Sequence, residues 1–245
     1  MRAYFEKVKA DGDMSNINFY SALQGFISMG FHVIEVDVIE KIPNEDNECV
    51  VVGSITFMQK VFKHFNIQNN GSIDYPASLK KYYGREIWAS TINEIDSNPQ
   101  KWNVFVKPKG LTKKFTGRVI QSTGDFIGTA DQSFDIPIWV SNVVDFKREW
   151  RAYVRYGKIL DVRPYKGDWK LHYDSAIVEK VIADYKDAPN GYAIDFGVTT
   201  DNRTLIVEVN DGYSIGSYGL FFTDYAKLLS ARWAQLNNQK DLCDF

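Results

Sequence analysis

The 245-residue chain balances 29 lysines and arginines against 31 aspartates and glutamates, with a formal charge of −2 and a pI near 6.0. That balance gives no support to general nucleic-acid binding or to attraction by a membrane surface, and no stretch approaches the ~18 apolar residues of a membrane span. With 44% hydrophobic and 15% aromatic residues, the composition suits a globular protein of one large domain or two to three small lobes.

Cys49 and Cys243 lack metal-ligand spacing and read as reduced thiols, while His32, His64 and His172 belong to no motif. The opening "MRAYFEKVKADGDMS" has no apolar leader core, so a cytoplasmic protein is expected. In chain order, "AYFEKV" reads as a strand, and Phe19, Ala22, Leu23 and Phe26 follow helical spacing up to Gly30. "HVIEVDV" and "CVVVGS" are further strands, and Met58, Val61, Phe62 and Phe65 stripe a second helix. Strand, helix, strand, strand, helix predicts a small α/β layer. The Gly53-Ser54 turn reads as a helix cap, with anion binding as the alternative.

A polar stretch, "NIQNNGSIDYPAS", leads into mixed helix and connector over residues 78 to 95. The pattern then turns to β in "NVFVKP", in "RVIQSTGDFIG" with a turn at Ser122 to Asp125, and in "IPIWVS". "EWRAYVRYGKILDVRPY" reads as a hairpin around Tyr156-Gly157, followed by a helix from about Asp174. A second hairpin joins "YAIDFGV" to "LIVEVN", and a last helix starts near Thr223.

Strand alternation puts Leu205, Val207 and Val209 on one face of the last strand and Ile206, Glu208 and Asn210 on the other. A two-residue turn at Asp201-Asn202 and a four-residue turn at Thr200 to Arg203 give one register, with Asp195 directly opposite Glu208. Ile194, Phe196 and Val198 then join the core face. The grouping of Asp195, Glu208 and Asn210 is either a solvated polar face or a set of hard oxygen ligands for magnesium. A cation would reverse the like-charge penalty of roughly 0.2–1 kcal/mol across the strands.

Lys107 follows Phe105 on one face of "NVFVKP", where a half-buried ammonium needs an anionic partner. Behind Pro108 come Lys109, Lys113 and Lys114, with Gly110 and Gly117 supplying flexibility, either a phosphate-binding loop or an ordinary basic one. Arg151 and Arg163 face opposite sides under a plain two-residue turn. A bulge with Gly157 left-handed would pair them on one face, where they would need a phosphate or carboxylate between them. Surface salt bridges are the alternative.

Together "YPASLKKYYGREIW", "VFVKP", "KKFTG", "EWRAYV", "VRPY", "IDFGV" and "VEVNDGYSIGSYGL" resemble the ATP-grasp ligases, over about residues 75 to 236. The resemblance is to the clade named for two conserved arginines and a lysine, some of whose members occur in bacteria and phages. It implies an α/β (α+β) ATP-grasp fold, with nucleotide held between a small β-rich lobe and a larger mixed-sheet lobe. Residues 1–75 would form a reduced preceding α/β layer, 76–140 a connector and the small lobe carrying Lys107, and 141–245 the large lobe.

By the same resemblance, Lys107 would hold the α- and β-phosphates of ATP, and "KGLTKKFTG" would close over them with Lys109 and Lys114. Backbone groups of Trp139, Val140 and Ser141 would read the adenine edge. Asn142 stands where many relatives carry a glutamate, so the ribose contact falls to Glu149 or Asp145. Asp195, Glu208 and Asn210 would hold one or two Mg2+ ions. Arg151 and Arg163 would neutralise the transferring phosphate and a substrate carboxylate. Asp211, Gly212, Tyr213 and Ser214 would line the substrate site, with a passive connector as the alternative. The implied activity is ATP-dependent joining of a carboxylate to an amine on an amino acid, peptide or protein, through an acyl phosphate. A phosphotransferase and a non-catalytic nucleotide-binding module are the alternatives.

Overall fold

The first layer is built from strands that need cover on both faces. The computed structural model describes residues 1–7, 17–46, 48–69, 71–110, 114–129 and 134–245. Here β1 (Arg2–Glu6), α1 (Ile17–Ser28), β2 (His32–Val36), β3 (Cys49–Val52) and α2 (Ile55–His64) form a parallel three-stranded layer in the order β2-β1-β3. All four residues of β3 are buried, as a parallel strand covered on both faces requires. Gly30, at φ 82°, ends α1 in the left-handed region. The Gly53-Ser54 turn is a helix cap: Ser54 Oγ accepts the Phe57 N–H at 3.2 Å, and Glu6 supplies the anion by accepting the Ser54 N–H at 2.6 Å.

The second sheet contains β4 (Ile87–Thr91), which leads into α3 (Ile92–Asp96), then β5 (Val104–Pro108), β6 (Arg118–Ile120) and β7 (Pro137–Asn142). It is antiparallel in the order β4-β7-β5-β6. Val104, Val106, Ile120, Ile138 and Val140 fill its core with Ile92 and Ile95. The other face carries Phe105 opposite Ser141 and Lys107 opposite Trp139. Strand β4 departs from the expected helix and connector. It is an edge strand with no fully buried residue, so the apolar alternation that marks a strand is weak. The turn expected at Ser122 to Asp125 is there, as a 3-10 segment, Thr123–Phe126, closed by a Ser122–Asp125 capping box.

The third sheet takes β8 (Phe146–Arg155), β9 (Lys158–Gly167), β10 (Gly191–Thr199) and β11 (Thr204–Asp211) in the antiparallel order β11-β10-β8-β9. Helix α4 (Ser175–Asp184), capped by Asp174, covers one face, where Val178, Val181 and Ile182 meet Ile194, Phe196, Ile206 and Val209. Helix α5 (Phe222–Leu236) shares the first layer's core, which also takes in Tyr153 and Ala193. The free thiols of Cys49 and Cys243 are buried in that core. Among the described residues, no helix is long and apolar enough to cross a membrane.

Two hairpins set the site, and both reach their registers through bulges. In β10–β11, the Thr199 N–H bonds the Arg203 carbonyl, so the turn encloses three residues and Asn202 sits at φ 60°. An odd loop would put Glu208 opposite Ile194, on the core face. A shift between Asp195 and Phe196 leaves Val207 without a partner and restores Asp195 opposite Glu208. Consequently Ile206, fully buried, faces the core in place of Val207.

In β8–β9, Arg151 does lie opposite Arg163, but the bulge is not in the loop. Tyr156 (φ 48°) and Gly157 (φ 70°) form a two-residue turn with both residues left-handed. The shift falls farther up, where Tyr153 pairs with Asp161 and Val154 with Ile159, leaving Leu160 extra.

Helix α1 lies on α5 through Gly25, where an added Cβ would sit 2.2 Å from the Phe222 carbonyl oxygen. Helix propensity alone would make Gly25→Ala stabilising by up to about 1 kcal/mol. The contact reverses the sign: denaturant unfolding of Gly25→Ala is expected to show a loss of about 1–3 kcal/mol.

Candidate functional site

A cavity of about 580 Å³ opens between the second and third sheets, within the size range of small-molecule sites. Its upper wall is the Phe105–Lys107 face of β5 and its lower wall is β8, β9 and β11, including Glu149, Tyr165 and Glu208. The strand-to-strand linker 142–145 and the connector residues Asp74 and Tyr75 also line it.

Lys107 occupies the centre. Its Nζ donates to Glu208 Oε2 at 2.6 Å and to Asp74 Oδ1 at 2.8 Å, with only 14% of the side chain exposed. Burial alone would lower the ammonium's pKa, but Glu208, Tyr75 and Asp74 together hold it above its ordinary value. Lys107 therefore stays cationic in a partly dry cleft. Asp74 is itself braced by the Trp139 ring N–H at 3.1 Å and by Ser72 Oγ at 2.5 Å. Its backbone carbonyl accepts the Val209 N–H at 2.9 Å, which ties the connector to β11.

Beside this centre lies a second charged group. Arg151 grips Asp195 in a two-pronged pair, Nε to Oδ1 at 2.7 Å and Nη2 to Oδ2 at 2.8 Å, with side chains 7% and 3% exposed. Burial pushes the Asp195 carboxyl above the usual carboxylate range; Arg151 opposes the rise, and Glu208 and Glu149 add to it. Burial, with Asp195 and Glu149, also raises the Tyr165 phenol. That hydroxyl stays protonated and donates to Glu149 at 2.7 Å and Asp195 at 3.3 Å. Tyr165 stacks on Tyr218 at 4.8 Å, and the Arg151 guanidinium lies 4.8 Å from the Tyr218 ring centre.

The matching family model, "ATP-grasp domain, R2K clade family 2", covers residues 82–228, more than half of the chain. The chain belongs to this ATP-grasp family. No curated protein matches it by sequence. D-alanine–D-alanine ligase from Bacillus anthracis, solved with ATP, is similar in fold at a TM-score of 0.61 and 12% identity, over 98% of this chain and 99% of that one. A RimK domain ATP-grasp protein from Sphaerobacter thermophilus DSM 20745 matches at 0.58 and 9% identity, over 94% and 99%. N5-carboxyaminoimidazole synthetase from Staphylococcus aureus matches at 0.56 and 10% identity, over 94% of this chain and 77% of that chain.

In this ATP-grasp chain the sequence-predicted residues divide into those the cleft brings together and those it does not. Lys107, Glu149 and Glu208 line it, and Asn210 Nδ2 reaches Asp195 Oδ2 at 3.3 Å. Among the described residues no group of three or more His, Cys, Asp or Glu side chains is placed to hold a metal, and the expected set has two acids and an amide. Both Asp195 oxygens face Arg151. Glu208 and Asn210 share one strand face as hard oxygen donors. That fits magnesium, which takes one or two protein carboxylates and completes its sphere with water and phosphate.

The backbone of Trp139, Val140 and Ser141 is not positioned to read adenine. Strand β7 is interior, and these residues pair with β4 on one side and β5 on the other. The chain leaves the sheet farther along, at Val143 and Val144, which line the cleft. Asn142 and Asp145 line it as well.

Asp211, Gly212, Tyr213 and Ser214 are also engaged away from the cleft. Asp211 is paired twice with Arg232, at 2.5 and 2.7 Å. A Cβ at Gly212 would meet the Gly191 carbonyl oxygen at 2.1 Å, so close strand approach explains that glycine. Tyr213 packs edge-on against Phe62 and accepts from Asn69 at 2.6 Å, while Ser214 Oγ donates to the Gly53 carbonyl at 2.7 Å. These residues seat the loop on the first layer.

Arg163, 40% exposed, bonds Asp161 at 3.2 Å and the Tyr218 carbonyl at 3.4 Å. Lys109 lies over the Trp139 ring at 4.6 Å, Lys114 is exposed, and residues 111–113 lie outside the described residues.

Sequence reading missed Asp74, Tyr75, Arg85 and Tyr165. Asp74 and Tyr75 sit in a polar connector with no period to mark them. Tyr165 carried a signal in "VRPY": it lies two residues beyond Arg163 on the same strand.

If Asp195 serves first as the counter-charge of Arg151, Asp195→Asn strands a buried guanidinium. Equilibrium unfolding is expected to show a loss of about 3–5 kcal/mol. A loss below about 1 kcal/mol would mark Asp195 as a free ligand.

Proposed function

We propose that the chain is an ATP-dependent carboxylate–amine ligase that uses Mg2+ and releases ADP and phosphate. The observation that carries the proposal is the buried Lys107 ammonium, held against Glu208 in a cleft between two sheets. Family membership supports it, as do similar folds in a D-alanine–D-alanine ligase complexed with ATP and in an ATP-grasp ligase complexed with a minimal precursor. In this proposal residues 76–140 form the small lobe, 141–245 the large lobe, and 1–75 the leading layer. The substrates are an amino acid or peptide carboxylate and an amine.

The nucleotide would lie along the cleft with its base at Asn142–Asp145 and its ribose at Glu149. Its phosphates would meet Lys107, which exchanges its Asp74 carboxylate for a phosphate oxygen. Glu208 and Asn210 would hold the magnesium, which neutralises phosphate charge when bound. A substrate carboxylate oxygen attacks the γ-phosphorus while the bond to the β–γ bridging oxygen breaks, giving ADP and an acyl phosphate. The amine then attacks the acyl carbon, loses a proton and expels phosphate, forming the amide. The chain's part is alignment and charge neutralisation by Lys107 and by Arg163, the more exposed of the two arginines.

Magnesium with ATP at 100-fold over its Kd should add about 2.7 kcal/mol, raising the melting temperature by about 5–10 °C. The double substitution Glu208→Ala with Asn210→Ala should abolish that rise. No rise in the wild type at millimolar ATP would contradict the nucleotide site. With amino-acid and peptide pools, ADP and phosphate should appear only when a carboxylate and an amine are both present. Phosphorylated product without condensation would instead identify a phosphotransferase.

A further inference from the structure

Arg85 joins the two walls of the cleft. It precedes β4 in the second sheet, and its guanidinium reaches the third sheet, donating from Nη1 to the Ile206 carbonyl and from Nη2 to the Val207 carbonyl, both at 2.8 Å. A further Nη1 bond goes to the Tyr83 carbonyl at 3.0 Å. The group is half-buried, lines the cleft, and lies between the Phe146 and Tyr75 rings, 5.7 and 6.0 Å from their centres. Among the described residues no carboxylate lies within ion-pair distance of it. A partly desolvated cation held by carbonyls and ring faces, with no carboxylate partner, costs more than a paired one, and that cost calls for a use.

The use lies in which carbonyls Arg85 holds. In a regular strand successive carbonyls point to opposite edges, so one planar fork does not reach two in a row. Here Val207 is the extra residue of the β11 bulge, and the bulge turns the Ile206 and Val207 carbonyls towards one guanidinium. The same bulge puts Glu208 opposite Asp195 and within reach of Lys107. A slip of one residue reverses every side chain beyond it, sending Glu208 into the apolar core beside Ile194. Gly84, at φ +61°, keeps the chain low enough for this reach: a Cβ there would meet Leu205 Cδ1 at 2.6 Å.

We propose that Arg85 is a positioning residue of the nucleotide site, its two-pronged hold on Ile206 and Val207 fixing the bulge that aims Glu208 at Lys107. Its bearing on nucleotide binding rests on the ligase reading, but its effect on Glu208 and Lys107 does not. Lysine at position 85 would keep the charge but lose the planar fork.

The test compares wild type, Arg85→Lys, Arg85→Gln and Glu208→Gln as full chains. Hydrogen exchange, read by mass spectrometry, is expected to quicken at least tenfold over residues 204–210 in both Arg85 variants. Exchange in β1–β3 should stay as in wild type. Acylation of Lys107 by an amine-reactive ester should rise several-fold in both Arg85 variants, as it should in Glu208→Gln. Stabilisation by magnesium and ATP should fall in parallel.

Unchanged exchange and unchanged Lys107 labelling in Arg85→Gln would overturn the proposal, because the ladder alone would then hold the bulge. Loss of protection throughout all three sheets in both Arg85 variants would also overturn it, leaving a purely structural arginine. If wild type shows no stabilisation by ATP, the ligase reading fails, while exchange and labelling still decide the role of Arg85.

Discussion

An ammonium taken out of water must be met by anions, and most of the cleft is arranged around the two that meet Lys107. Glu208 comes from β11 and Asp74 from the connector, so the one cation joins the second sheet, the third sheet and the chain between them. The pairing also resolves a charge problem. Glu208 and Asp195 lie directly across two strands, where like charges repel. Each is met by a different cation, Glu208 by Lys107 and Asp195 by Arg151. Removing either cation would leave a partly or fully buried carboxylate uncompensated, so the ion pairs and the strand register depend on each other. A phosphate arriving at Lys107 would replace Asp74 with a ligand of the same sign.

Much of this site was legible before the fold was known, for reasons that differ from residue to residue. Lys107 could be found because a lysine on the polar side of an alternating strand has few structural explanations. The pairing of Asp195 with Glu208 was read correctly through an incorrect turn. The three-residue loop shifts the register by one and the Val207 bulge shifts it back, and strand parity does not record cancelling offsets. The same parity misplaced Val207 in the core. For Arg151 and Arg163 a bulge was required only if both served one site, and it was expected in the loop at Gly157; its place at Leu160 depends on packing within the sheet.

What stayed hidden is mostly non-local. Asp74 and Arg85 act through contacts more than 30 and 120 residues away in sequence, and nothing in their own segments carries a period. Backbone availability was misjudged for the linker, since an interior strand spends its N–H and C=O groups on both neighbours. Only past Asn142 does the chain leave the sheet. The "DGYSIGSYG" loop offered glycines and hydroxyls that suit ligand binding, yet Asp211 to Ser214 use them to seat the loop. The arginines touch its later part, at Gly216 and Tyr218.

The central claim is that Lys107, Glu208 and Asn210 form the phosphate and metal end of a nucleotide cleft. A crystal structure with a non-hydrolysable ATP analogue and Mn2+ tests it most directly, because manganese is located by anomalous scattering independently of the phosphates. The expected result places manganese against Glu208 and Asn210, with Lys107 Nζ turned from Asp74 to a phosphate oxygen and the base beside residues 142–145. Analogue bound elsewhere, or bound with Lys107 still closed on Asp74 and no manganese at Glu208, would contradict the claim.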